Sequence, residues 1–112
     1  MHSCGSSSWA YDDFIEIGIS IVDTLQLEAK DMVPAYLKAR YGDQLSFHGC
    51  ISTAGPLAYG TVDDVVANVR ETLEIMMPGG KNALAPTHAI QDNSPTEYVV
   101  AMNDAVKQYG SY

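Results

Sequence analysis

The chain has 112 residues, 46% of them apolar, and carries 14 acidic against 6 basic residues for a net charge of -8. That length fits one domain with a single core. The acidic excess argues against a nucleic-acid backbone or an anionic membrane surface as partner. Cys4 and Cys50 are too few for a disulfide scaffold, which reads as a reduced, cytoplasmic protein. No apolar run approaches the ~20 residues of a membrane span. The first residues lack the basic and then apolar regions of a secretory signal.

The chain opens with "MHSCGSSSW", where His2 and Cys4 are spaced to share one face of a strand before a Gly-Ser turn. A helix is predicted over 9–18, with Trp9, Ala10, Phe14 and Ile17 near helical spacing and Gly18 at its end. The short, β-branched stretch 20–27 predicts a strand. Residues 33–42 predict a helix with Pro34 in the first turn and Gly42 at the end. A second strand is expected over 44–52, followed by a Gly/Pro loop over 53–60.

The clearest element is a helix over 61–77. Thr61 is a good N-cap, Asp63 and Asp64 suit the positive end of the dipole, and Val62, Val65, Val66, Val69, Leu73 and Met76 form a stripe. Pro78-Gly79-Gly80 stops it. A weaker strand is expected over 82–86, then a loop. The last helix begins at "SPTE" (94–97), a capping-box pattern, and carries Val99, Met102, Val106 and Tyr109 as its buried stripe. Strands alternating with helices imply right-handed parallel βα units, so the fold class is α/β.

"LKARYGDQLSFHGCIST", "YGTVDDVVANVRETLEIMMPGG" and "LAPTHAIQDNSPTE" with "AMNDAVKQYG" together resemble the C-terminal half of the uroporphyrinogen decarboxylase superfamily, including its cobalamin-dependent methyltransferase branch. The resemblance runs from His2 to about Gly110. It implies a partial (β/α)8 TIM barrel: a single half-barrel domain over 1–112, with about three parallel βα units preceded by a helix. "HSCG" would then be the end of the barrel's fifth strand, which accounts for a chain that opens on a strand end. Whole barrels of this type need about 250 residues. Lys81, Asn82 and Ala83 depart from the family pattern, as do Ala54, where Gln is common, and Val33, where an Asp or Asn cap is expected. The set reads as a truncated or engineered half-barrel.

In the methyltransferase branch, a His-x-Cys at this strand end and a residue of the last loop bind zinc. The resemblance therefore implies His2, Cys4 and His88 as a metal set, in which zinc would turn a bound thiol into a methyl-accepting nucleophile. In the decarboxylase branch, a His of the last loop contacts substrate, which makes His88 the catalytic candidate. Against these stand plainer readings: an isolated His-x-Cys is usually no metal site, and His88 fits an exposed loop equally well. His48 reads as a strand-end residue and Cys50 as a small buried apolar one, while Asp23 and Gln26 are either site groups or solvated strand-end groups.

The leading expectation is a half-barrel without catalytic activity alone and without a bound cofactor. It would self-associate as a homodimer to cover inward-facing Ile21 or Val22, Leu25, Phe47 and Leu84. The alternatives are a zinc-dependent corrinoid methyltransferase fragment, or a subunit completing a decarboxylase-like barrel with an N-terminal-half partner.

Overall fold

A computed structural model describes residues 1–112. Strand β1 (Ile21–Asp23), strand β2 (Ser46–Ile51) and strand β3 (Asn82–Pro86) form a parallel sheet in the order β1-β2-β3. Helix α1 (Tyr11–Glu16) precedes β1, α2 (Pro34–Tyr41) joins β1 to β2, and α3 (Pro56–Tyr59) with α4 (Val62–Met76) joins β2 to β3. Helix α5 (Thr96–Tyr109) closes the chain. The α/β reading with parallel βα units therefore describes the molecule. No helix is long and apolar enough to cross a membrane.

The opening residues extend the sheet. His2 bridges Asp23 in parallel, and the Asp23 amide donates to the Met1 carbonyl at 2.7 Å. Residues 1–3 thus run beside β1.

Helix α4 packs between α2 and α5, so these helices lie side by side in the order of the strands they follow. The molecule measures 41 × 30 × 18 Å. With side chains a helix is about 10 Å across, so the shortest dimension holds one helix layer and one sheet. One sheet face is covered and the other is bare.

The strand alternation sorts residues between these faces. Val22 and Phe47 are buried in a core with Leu25, Met32, Leu37, Tyr41, Leu45 and Met76. A second core joins Ile51 and Leu57 to Val65, Val69 and Leu73 of α4 and to Met102 and Ala105 of α5. Partly buried Leu84 touches both cores. On the bare face, Ile21 is 54% exposed, and His48 and Ala83 are also exposed. Of the expected inward-facing set, Ile21 lies on the bare face as one of the two alternatives, and the placing of the others is corrected. Val22, Leu25 and Phe47 are covered by the chain's own helices and loops, and Ile21 is the large apolar residue left bare.

Several boundaries differ from expectation for identifiable reasons. Strand β1 ends at Asp23 because Thr24 adopts φ 62°, which turns the chain out of the sheet, and Leu25 is buried from a loop. The expected helix 9–18 becomes a 3₁₀ turn at Ser8–Ala10 and a short α1; Trp9 and Ile17, placed in its apolar stripe, are 78% and 74% exposed. The Gly/Pro loop contains α3, with Pro56 in its first turn. Thr61 caps α4 as expected, and Asp64 completes a reciprocal box. The box expected at the start of α5 does not form: Pro95 is the N-cap, and the buried Ser94 hydroxyl has no hydrogen-bond partner.

Candidate functional site

The parallel register sets His2, Asp23, His48 and Ala83 in one row across the bare face. Asp23 is the centre of that row. Its Oδ2 lies 2.6 Å from Nδ1 of His2, and its Oδ1 lies 2.7 Å from Nδ1 of His48. These hydrogen bonds, that from His48 foremost, hold the Asp23 carboxyl well below the usual carboxylate range. An ionised carboxylate only accepts, so each ring donates from Nδ1 and turns Nε2 away from Asp23. Thr24 adds its hydroxyl 2.9 Å from Nδ1 of His2. Nε2 of His2 lies 3.9 Å from the Cys4 sulfur.

Beyond the strand ends, the loops are tied together by side chains. The Gly5 amide donates to Gln26 Oε1 at 2.8 Å, and Ser6 Oγ donates to the Lys30 carbonyl at 2.8 Å. The Thr53 amide donates to Thr87 Oγ1 at 3.3 Å. Buried Ser52 donates to Glu28 Oε1 and accepts from the Ala54 amide. Between these loops lies a cavity of about 150 Å³, lined by Cys4, Thr24, Gln26, Glu28, Thr53, Ala54, Thr87 and His88. It sits at the C-terminal ends of the strands, the side on which parallel βα folds build their sites. Within β2, Gly49 and Cys50 adopt φ of 126° and 79°. A Cβ on Gly49 would meet the Leu25 amide nitrogen at 3.4 Å.

The sequence candidates are therefore distributed unevenly. Cys4 and His88 share the cavity wall, and His2 stands behind Cys4 on the bare face. His88 itself is exposed. No group of three or more His, Cys, Asp or Glu residues is placed to hold a metal ion. Nε2 of His2 and the Cys4 sulfur are near the roughly 3.5 Å that tetrahedral Zn–N and Zn–S bonds impose on neighbouring ligands. The Nδ1 contact with Asp23 is of the kind that orients a ligating histidine. The third expected donor, His88, is not gathered with them, so zinc fits only in part and no chemical step is routed through it.

His48 pairs with Asp23 where a plain strand-end residue was the expectation, and Gln26 is a cavity residue. Cys50 is buried, and burial pushes its thiol up to about 12, which agrees with the small-apolar reading. Sequence reasoning missed Thr24, Glu28, Ser52, Thr53 and Thr87. Their signal was position alone, since each follows a strand within a few residues. A family-model scan, a search of curated proteins and a search of solved structures found no match to this chain.

Proposed function

We propose that the chain is a half-barrel of the uroporphyrinogen decarboxylase type, that it turns over no porphyrinogen or methyl-corrinoid by itself, and that it associates with a second copy through its open sheet. The observation that carries this reading is the bare sheet face, with its hydrogen-bonded His2–Asp23–His48 row, beside a polar cavity at the strand ends. In a closed barrel such a face is the interior and such an end is the site. The carboxylate that grips the substrate in the decarboxylase family belongs to the other half-barrel, so this wall alone supports no turnover.

The drive to associate comes from the edges. The outer edge of β3 and the edge formed by residues 1–3 carry backbone groups suited to further strand pairing. Apolar burial contributes less, because Ile21 is the main bare apolar side chain. Light scattering at micromolar concentration tests the reading. A stable mass of twice the chain's 12.1 kDa supports it, and a stable mass of 12.1 kDa overturns the self-association. Turnover of either substrate above background overturns the silent-half reading.

A second reading, a zinc-dependent methyltransferase fragment, is favoured by the 3.9 Å approach of His2 Nε2 to the Cys4 sulfur. About one equivalent of zinc, lost in Cys4→Ser, supports it; none after purification without chelator removes it. A barrel completed by a separate N-terminal-half protein is the outcome if pull-down from the source cell recovers such a partner.

A further inference from the structure

We infer that the cavity at the strand ends binds a small protonated nitrogen group, of alkylammonium size, on the carboxylate of Glu28. This inference concerns the isolated chain and does not rest on the barrel reading.

The first observation is charge. No lysine or arginine lines the cavity, and Glu28 supplies its carboxylate. None of the chain's ion pairs involves Glu28. The chain as a whole carries -8, a field that draws cations and repels anions.

The second observation is positioning. Ser52 is buried, and its oxygen accepts from the Ala54 amide at 3.1 Å. Its single hydroxyl proton is therefore committed to Glu28 Oε1. This fixes one carboxylate oxygen, while Oε2 receives no hydrogen bond from the protein. Glu28 itself is exposed, and a carboxylate with one oxygen held by a buried serine and the other without a protein partner can accept a charge-assisted hydrogen bond.

The third observation is fit. The cavity volume of about 150 Å³ equals that of about five water molecules at ~30 Å³ each. An ammonium on a short alkyl stem fits in that space. In the remaining lining the Thr53 and Thr87 hydroxyls can accept, Thr87 already taking the Thr53 amide, while the Thr24 hydroxyl is engaged with His2. An ammonium has donors and no acceptor, which matches this wall.

The test is an amide-resolved NMR titration of the full chain with ethylammonium chloride. Ethanol serves as the neutral analogue, sodium acetate as the anionic one and sodium chloride as the ionic-strength control. The expected result is saturable shifts at Thr53, Ala54, Thr87 and His88 with ethylammonium only. Glu28→Gln should weaken binding at least tenfold, and Ser52→Ala should weaken it severalfold while the carboxylate stays in place. Circular dichroism checks that each variant keeps its fold, and Ser52→Ala reads the anchor independently of Glu28→Gln. Equal saturable shifts with ethanol or sodium, undiminished binding in Glu28→Gln, or no saturable shift at all would overturn the inference.

Discussion

Asp23 and His48 stand opposite each other in the parallel register of β1 and β2, and Oδ1 of one lies 2.7 Å from Nδ1 of the other. With His2 on its second oxygen, Asp23 has a carboxyl that titrates well below its ordinary range. In the unfolded chain that group titrates near pH ~3.9. The native state favours the ionised form, so the contribution is fully present above that pH. It is lost as the pH falls through the unfolded value toward the native one. The Asp23 side chain is about a third exposed, so solvent screening keeps the contribution small. The urea midpoint of Asp23→Asn should lie below that of the wild type at pH 7, and the gap should narrow progressively as the pH falls below about 4 toward the low native value. A gap that stays constant across this range would show that the pairing with His2 and His48 does not stabilise the fold.

The two caps read from the sequence should separate in experiment. Thr61 Oγ1 accepts from the Asp64 amide at 3.2 Å, and Asp64 Oδ2 accepts from the Thr61 amide at 2.8 Å. Thr61→Ala should therefore cost about 1 kcal/mol. Ser94 makes no such bond, so Ser94→Ala should leave the unfolding midpoint unchanged or raise it slightly. Equal losses in the two variants would contradict the difference between the two helix starts.

Thiol chemistry should distinguish the cysteines. Cys50 is buried with its thiol pushed up to about 12, and Cys4 is exposed. A disulfide reagent at pH 8 should label Cys4 alone in the native protein and both thiols in denaturant. Rapid native labelling of both would mean that β2 opens readily.

The two sheet faces predict opposite sensitivities at neighbouring register positions. Phe47 is fully buried, and Phe47→Ala should cost about 3–5 kcal/mol. Ile21 is bare in the isolated chain, and Ile21→Ala should change monomer stability by no more than about 0.5 kcal/mol. A larger loss at Ile21 that grows with protein concentration would identify the bare face as the surface covered by a second copy.

Asn82 opens β3 with its side-chain oxygen buried and unpartnered. Asn82→Val removes that orphan and supplies a better strand former, and it should raise stability by about 1 kcal/mol. A lower thermal midpoint would indicate that the amide has a partner in solution.

The elements that were legible in the sequence are those fixed by local chemistry. Pro34 and Gly42 bracket α2, Thr61 and the Pro78-Gly79-Gly80 stop bracket α4, and the β3 limits matched their expected range. The misreadings share a different cause. Leu25 and Leu27 have strand-like composition, yet Thr24 turns the chain at φ 62°, a backbone choice that no neighbouring residue signals. Trp9 and Ile17 have helical spacing, yet both fall outside the 6-residue α1, Trp9 in the 3₁₀ turn and Ile17 at the C-cap, and both are exposed. The site follows the same division. Cys4, Gln26 and His88 could be named from strand-end positions, whereas the His2–Asp23–His48 row depends on register between segments more than 20 residues apart. The anchoring of Glu28 by Ser52 likewise depends on how two loops meet.

The spatial order of the strands repeats their order along the chain, and residues 1–3 lie beside β1 at the head of that sequence. During synthesis, chains emerge from their N-terminus. Each strand here therefore arrives next to a partner that has already been made, and each connecting helix can settle beside the helix before it. No strand has to wait for more than the next βα unit, and the pairing residues, such as Ile21 with Ser46 and Phe47 with Asn82, are separated by one such unit. As the chain grows, β2 covers the edge that β1 exposes and β3 covers that of β2, so that on this side the edge still open is the one made last.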